Sequence, residues 1–481
     1  MGLKRSLCIA AVAALLACPP TSAMGATRNV KDPIVLSCWV YYNGVQEQQF
    51  DRLLQTFNDS VGQEEGIFVE SHSMGSVSEL ASQVTASATR EVGAELMPDL
   101  FSSYADSAYE LWRLGVVADL SPYLTEKEIA AYIPAYMEEG RMGADGELCI
   151  FPAAKSTELL LLNRTQWDAF AAATGADEKQ LSTWEGIVDL GKMYFEWTDA
   201  KTPEREGDGQ AFFGRDAMAN YMLIGSRQLG AEIFAVSDGK AELHFDRDVM
   251  QKLWNNFYLP FVSGWFAAYG RFRSDDIKTG QIVALVGSTS GALYFPNEVT
   301  NDDGTTYPIE CSVYTLPNFE GTKPMATQQG AGFVVGKSTP EREKAAVTFL
   351  KWLTEPERNI LFSISSGYMP VTRESNDIQV IRAAMEQAGT DQMVRDVMET
   401  GVQIATSYEL YTNKPFEHGY EARSVLESSL LDTARQALAE RLALEEQGVS
   451  YADAVARVTD EERFTQWFDA VEAALETALA Q

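Results

Sequence analysis

Positive charge is in short supply in this chain. Its 481 residues carry 38 Lys and Arg against 69 Asp and Glu, a net charge of −31. That balance excludes nucleic acid and anionic membrane surfaces as partners, because both repel a polyanion. Histidine is scarcer still, limited to His72, His244 and His418, and no His or Cys pairing has metal-ligand spacing. Asn301-Asp302-Asp303-Gly304 begins like a calcium loop, but the later ligands and closing glutamate are absent, so it reads as a hairpin turn. No metal and no cofactor is expected. Cysteines are few: once Cys8 and Cys18 of the leader are set aside, Cys38, Cys149 and Cys311 remain. An odd set excludes a disulfide framework while leaving room for one bridge. Long hydrophobic runs are missing as well. The apolar stretch Leu7–Leu16 falls short of the ~20 residues a spanning helix needs.

That stretch follows Lys4 and Arg5 and reads as a secretory leader, expected to occupy residues 1–26. Two cleavage readings stand. Leu15-Leu16-Ala17-Cys18 resembles a lipobox that would leave Cys18 lipidated, whereas Pro19-Pro20 followed by small residues suits ordinary signal peptidase. The protein is therefore expected to be exported, either free in the periplasm or tethered to the outer face of the cell membrane. A hydrophobic share of 46% with nine Trp, 19 Tyr and 23 Phe is ample for packing. The mature length is too great for one core and suits two domains.

Strands and helices alternate along the chain. Ile34–Val40, Ile67–Glu70 and Leu100–Ser103 read as strands, with helices at Val45–Asn58, Ser78–Thr89 and Ala108–Leu114. This βαβα order predicts a parallel sheet with helices on both faces. Glu147–Phe151 and Glu158–Leu162 read as consecutive strands, with Ala153–Thr157 carrying the chain to a second lobe. Helices follow at Thr183–Trp197, Asp216–Leu229 and Asp248–Val262, then strands at Gln281–Val286 and Ser312–Leu316. The chain returns through Gln329–Phe333, is helical from Asp377, and ends in the Ala-, Leu- and Glu-rich tail Leu426–Leu479.

The segment Gly330–Arg373 is the most informative. Phe333–Val335 is a short strand, and Ser338-Thr339-Pro340-Glu341 has the composition of a helix start. Ala345, Ala346, Phe349, Leu350 and Leu353 give one apolar face; Thr354-Glu355-Pro356-Glu357 restarts a helix with a capping box. Gly367-Tyr368-Met369-Pro370 closes the run in a rigid turn. Together these pieces resemble family 1 of the extracellular solute-binding proteins, the ligand receptors of ABC importers. Asp145–Pro152 followed by Leu159–Asn163, and Asp275–Val286, are similar to further stretches of that family.

The resemblance implies an α/β, periplasmic-binding-protein-like clamshell: two doubly wound lobes joined by a multi-strand hinge, with a helical C-terminal extension. Residues 27–153 and 331–366 are expected in the N-terminal lobe, 154–330 and 367–481 in the C-terminal lobe. The implied function is binding without chemistry, by a monomer that delivers a small ligand to transmembrane permease subunits. In open sheets ligands sit beyond the carboxyl ends of the strands, so strand ends and crossings supply the candidates. Tyr42 and Asn43 end the first strand, and Tyr104 the third. Aromatic faces stack on sugar rings and amides take hydroxyls. Ser156 lies in the first crossing, Phe213 in a loop that opens a helix, and Ser288 and Ser290 in a small-residue turn. Gly330 lies in the second crossing. The resemblance adds Tyr368 from the Gly-Tyr-x-Pro turn and Arg423 from the tail. One branch of the family binds glycerol phosphate and its diesters, which Arg423 suits as a phosphate partner. That branch's glutamate after the third strand aligns with Ala105, so a carbohydrate is favoured and glycerol phosphate is the alternative. A remoter alternative is a thiaminase-like enzyme with Cys149 as nucleophile.

Overall fold

The computed structural model describes residues 33–480 except Asp238, Asp302 and Asn413. The leader, with Cys18 and both cleavage readings, lies outside the described residues. The elements that place the site are β1 (Ile34–Val40), α1 (Gly44–Phe57), β2 (Ile67–Ser73), β3 (Leu100–Ser103) and α2 (Ala105–Arg113). After the first crossing come β4 (Glu158–Asn163), β5 (Phe213–Arg215), α3 (Met218–Gln228), β6 (Ala284–Ser288) and β7 (Cys311–Thr315). The chain then returns as β8 (Gly332–Val335), α4 (Pro340–Leu353) and α5 (Pro356–Ser366), and the tail opens with α6 (Gly419–Glu446).

Two four-stranded sheets result, in the orders β8-β3-β1-β2 and β7-β4-β6-β5. A single rule accounts for their directions. β1 runs parallel to β2 and β3, and β5 parallel to β6, and these strands end toward the gap between the sheets. β8 and β4 each begin at a crossing and run away from it, so each is antiparallel to its neighbours. Both sheets are accordingly mixed: in the first, where alternation suggests a parallel sheet, β1, β2 and β3 are parallel and the returning β8 is antiparallel.

Each sheet has its own core. In the first, Phe50, Leu54 and Phe57 of α1 are buried at helical spacing, as are Ala345, Ala346, Phe349, Leu350 and Leu353 of α4. The Phe349 ring meets Phe57 edge-on at 5.1 Å. The second core takes in Leu159–Leu162 of β4, and the tail is part of it: Leu426, Leu430 and Ala434 of α6 are fully buried there with Phe464 and Trp467. Among the described residues no helix is long and apolar enough to cross a membrane.

Several local expectations are corrected. Only Glu147–Leu148 of the expected strand pairs, in a short hairpin with Arg141–Met142, while Phe151 bridges to Phe333. Thr339 makes no side-chain cap; instead the Glu343 carboxylate accepts the Ser338 N–H at 2.8 Å. The second capping box does not form either. Glu355 is the N-cap of α5, and the Thr354 hydroxyl donates back to Leu350 O at 2.8 Å, closing α4. Gly367, Tyr368 and Val371 were assigned to the C-terminal lobe, yet Tyr368 and Val371 pack in the first core and the Ile133 N–H donates to Val371 O. Among the described residues, Cys38, Cys149 and Cys311 are free thiols.

The lobes meet at paired backbone. Ser156 and Gln329 exchange two N–H···O bonds of 2.8 Å, and Lys155 pairs likewise with Met369. Lys155 is fully buried; its ammonium pairs with Glu139 and donates to Gly330 O at 2.7 Å. Gly330 has φ +90°, and a Cβ there would lie 2.8 Å from Ala154 O. Gly330→Ala should therefore cost about 1–3 kcal/mol, read as a lower urea midpoint; an unchanged midpoint would show that the crossings have slack.

Candidate functional site

A cleft of about 540 Å³ opens between the lobes, within the range of small-molecule sites. Asn43, Gln46 and Tyr368 line it from the first lobe, Gln329 from the crossing. Glu158, Asp216 and Ala217 form one part of the second-lobe wall, and Phe272, Ser288, Ser290 and Tyr294 another. Of two further cavities of similar size, one is also lined from both lobes, by Tyr109, Glu139, Val236 and Thr412, and the other by Arg164, Tyr314 and Glu399.

Of the residues expected at a site, Asn43, Ser288, Ser290 and Tyr368 are brought together here. Asn43 is the N-cap of α1 without a side-chain cap bond, and its amide donates to Gly75 O at 3.2 Å. The Ser288 and Ser290 hydroxyls lie 3.0 Å apart. The Tyr368 hydroxyl lies 3.2 Å from that of Tyr41, and burial raises the pKa of both phenols. Tyr104 caps α2 beside this pair, 40% exposed, its ring stacked 6.5 Å from Tyr41.

The other expected residues are placed elsewhere by packing. Tyr42 is 3% exposed, wedged between Phe50 and Phe362. Phe213 is fully buried against Phe266 and Trp184. Ser156 is buried in the crossing and pairs through its backbone, and Gly330 serves the close approach already described. Arg423 does not line the cleft; its guanidinium donates to Asn220 Oδ1 at 2.5 Å, and its charge reaches Tyr104 and Asp106 of the first lobe. Arg215 pairs with the carboxylate of Glu158 rather than that of Asp216, at 3.2 Å, with both side chains almost wholly buried.

Sequence reasoning missed that pair. Glu158 heads a run of four leucines, and an acid at the start of so apolar a strand was the available signal. Asn220 also donates to Glu158, at 3.1 Å. Burial raises the Glu158 pKa, and the Arg215 charge opposes the shift. Asp106 was missed too. It sits in the first turn of α2 with one buried carboxylate oxygen unpartnered. Burial pushes its pKa up to about 6, against the pull of Arg423. Ala217, on the cleft wall, holds a left-handed conformation (φ 53°) that few non-glycine residues adopt. Nothing in this set is an activated nucleophile. Cys149 is fully buried in the first core and its thiol is pushed up to about 12, chiefly by burial, the reverse of what a thiolate needs. Among the described residues no His, Cys, Asp and Glu cluster suits a metal.

Residues 53–388 match the bacterial extracellular solute-binding protein family. The chain belongs to that family, whose members bind small molecules and work with ABC permeases. Among curated proteins the sequence has no match. Solved structures share its fold. The cyclic alpha-maltosyl-1,6-maltose binding protein of Arthrobacter globiformis superposes with a TM-score of 0.66 at 16% identity, covering 93% of this chain and 99% of that one. UgpB of Mycobacterium tuberculosis, in complex with glycerophosphocholine, gives 0.63 at 16%, covering 91% and 98%. Lmo0181 of Listeria monocytogenes, in complex with cycloalternan, gives 0.62 at 14%, covering 92% and 100%. At these identities the likeness is one of fold.

Two measurements probe the site. Arg215→Ala strands a buried carboxylate and should cost about 3–5 kcal/mol, whereas the Glu158→Leu/Arg215→Met pair should cost far less; equal losses in urea would mean the charges are solvated. Asp106 binds its proton more tightly folded than unfolded, so its contribution to stability is complete below pH 3.8 and is lost as pH rises through about 6. Between those values the wild-type melting temperature should fall relative to that of Asp106→Asn; parallel curves would contradict the burial.

Proposed function

We propose that this protein is the exported ligand receptor of an ABC importer and that it holds a carbohydrate between its lobes. One observation carries the reading. The cleft brings exposed aromatic rings (Phe272, Tyr294) together with amides (Asn43, Gln46, Gln329) and paired hydroxyls (Ser288, Ser290) across a hinge. Rings stack on the apolar faces of sugars while amides and hydroxyls exchange hydrogen bonds with their rims. The Arthrobacter and Listeria structures, named for cyclic oligosaccharides, support the same class.

A ligand touching both lobes favours the closed form only by its differential affinity for it. A micromolar ligand supplies ~8 kcal/mol in total, part of which drives closure. The hinge is the set of crossings at Lys155–Ser156, Gln329 and Met369, with residues up to about Arg373 moving with the first lobe. The working unit is a monomer, free in the periplasm or anchored through Cys18, with no nucleic acid partner.

A glycerophosphodiester is the second reading. UgpB shares the fold and holds one, and Arg423 lies near the cleft. Against it, Arg423 is already engaged by Asn220. The enzyme reading through Cys149 loses its basis, since the thiol is buried away from the cleft and held protonated.

Calorimetric titration of neutral oligosaccharides against glycerol 3-phosphate and glycerophosphocholine decides between these readings. At least one sugar should bind, and Tyr294→Ala, removing a ring that is 61% exposed, should weaken it roughly 5- to 30-fold without changing the melting temperature. Heat from glycerol 3-phosphate alone would transfer the assignment.

A further inference from the structure

Most of the charges around the cleft are answered from within the chain. Arg215 pairs with Glu158 at 3.2 Å, Arg273 with Asp216 at 3.2 Å, and Lys278 with Asp275 at 3.6 Å. Lys155 pairs with Glu139 in the crossing, and Arg423 donates to Asn220 while its charge acts on Asp106 and Glu158. Arg423 is the exception, since its guanidinium is hydrogen-bonded only to the neutral amide of Asn220. The carboxylates of Asp216 and Asp275 line the cleft, so an arriving phosphate or carboxylate also meets negative charge.

Helix starts follow the same pattern. Three helices begin at the cleft, after Asn43, Tyr104 and Ala217. Their exposed N–H groups and positive dipole ends are the usual seats for an anion. α1 carries Glu47 in its first turn, and α2 carries Asp106. α3 has no acidic residue in its own first turn. There the missing carboxylate comes from α6, more than two hundred residues later. Glu427 Oε2 accepts the Ala219 N–H at 2.8 Å and Oε1 accepts the Met218 N–H at 3.2 Å. Glu427 stands one turn beyond Arg423, so the same face of α6 supplies the partner of Asn220 and the cap of α3.

We propose that Glu427 is a specificity-determining residue: its carboxylate holds the anion seat at the start of α3, so the cleft accepts an uncharged sugar and rejects phosphorylated or acidic ones. This deepens the carbohydrate reading and rests on it. The remaining neutral donors and acceptors, from Asn43, Gln46, Gln329, Ser288 and Ser290, suit hydroxyl groups.

The test uses the full chain as wild type, Glu427→Ala and Glu427→Gln, titrated with glycerol 3-phosphate, inorganic phosphate and the neutral oligosaccharides. Wild type should take a neutral sugar and neither phosphate. Glu427→Ala, which empties the seat, should bind glycerol 3-phosphate roughly 5- to 30-fold more tightly than wild type, and the gain should shrink with added salt. Glu427→Gln keeps one acceptor without the charge and should show a smaller gain, which also serves if the alanine variant fails to fold. Folded variants that exclude glycerol 3-phosphate as strongly as wild type would refute the role of Glu427 and leave the carbohydrate reading intact. A wild type that binds glycerol 3-phosphate and no sugar would overturn both.

Discussion

The backbone pairing of the crossings is the constraint on which everything else hangs. Ser156 with Gln329 and Lys155 with Met369 form a short belt of hydrogen bonds between two sheets that otherwise have separate cores. Such a belt resists sliding while leaving rotation about its axis cheap, which is what a clamshell needs. It also dictates strand direction. Chain leaving the belt must run away from the cleft, so β4 and β8 are antiparallel to strands that end at the cleft. Lys155 fixes the belt from below: a buried ammonium held by Glu139 and Gly330 O has only one low-energy position.

The second-lobe wall mixes apolar and polar residues, and its buried polar groups are mostly occupied with one another. Glu158, Arg215 and Asn220 saturate each other beneath it, and Arg423 ties Asn220 to the tail. A saturated network is rigid, and it spends charge that a ligand would otherwise meet. What faces the opening is a mixture: the rings of Phe272 and Tyr294, the hydroxyls of Ser288 and Ser290, and the charged side chains of Asp216, Asp275 and Lys278. The tail helix α6 is thus more than a cover: it closes the second core with Leu426 and Leu430 and reaches the start of α3 with Glu427.

Much of the fold was legible in the chain. The helical spacing of the Ala345 to Leu353 face appears in the structure as read, because amphipathic periodicity reports the direction of the core. The site was less legible. Asn43, Ser288 and Ser290, which line the cleft, were reachable from their positions at strand ends and turns, and Tyr368 from the family resemblance. Tyr42 and Phe213 were not excluded by the same logic, since a strand end puts one neighbour in the cleft and the next in the core, and sequence does not say which. Arg423 looked like a phosphate ligand until its neighbour across the fold was visible.

The sequence alone determined the alternation of strands and helices, the acidic character of the chain, and the Gly-Tyr-Met-Pro turn, all of which follow from local composition and periodicity. Tertiary structure decided which polar residues remain available. Arg215 and Glu158 are 57 positions apart and Glu427 and Ala219 are 208 apart. Pairings over such separations come from packing, which brings distant elements face to face, and no local pattern encodes them.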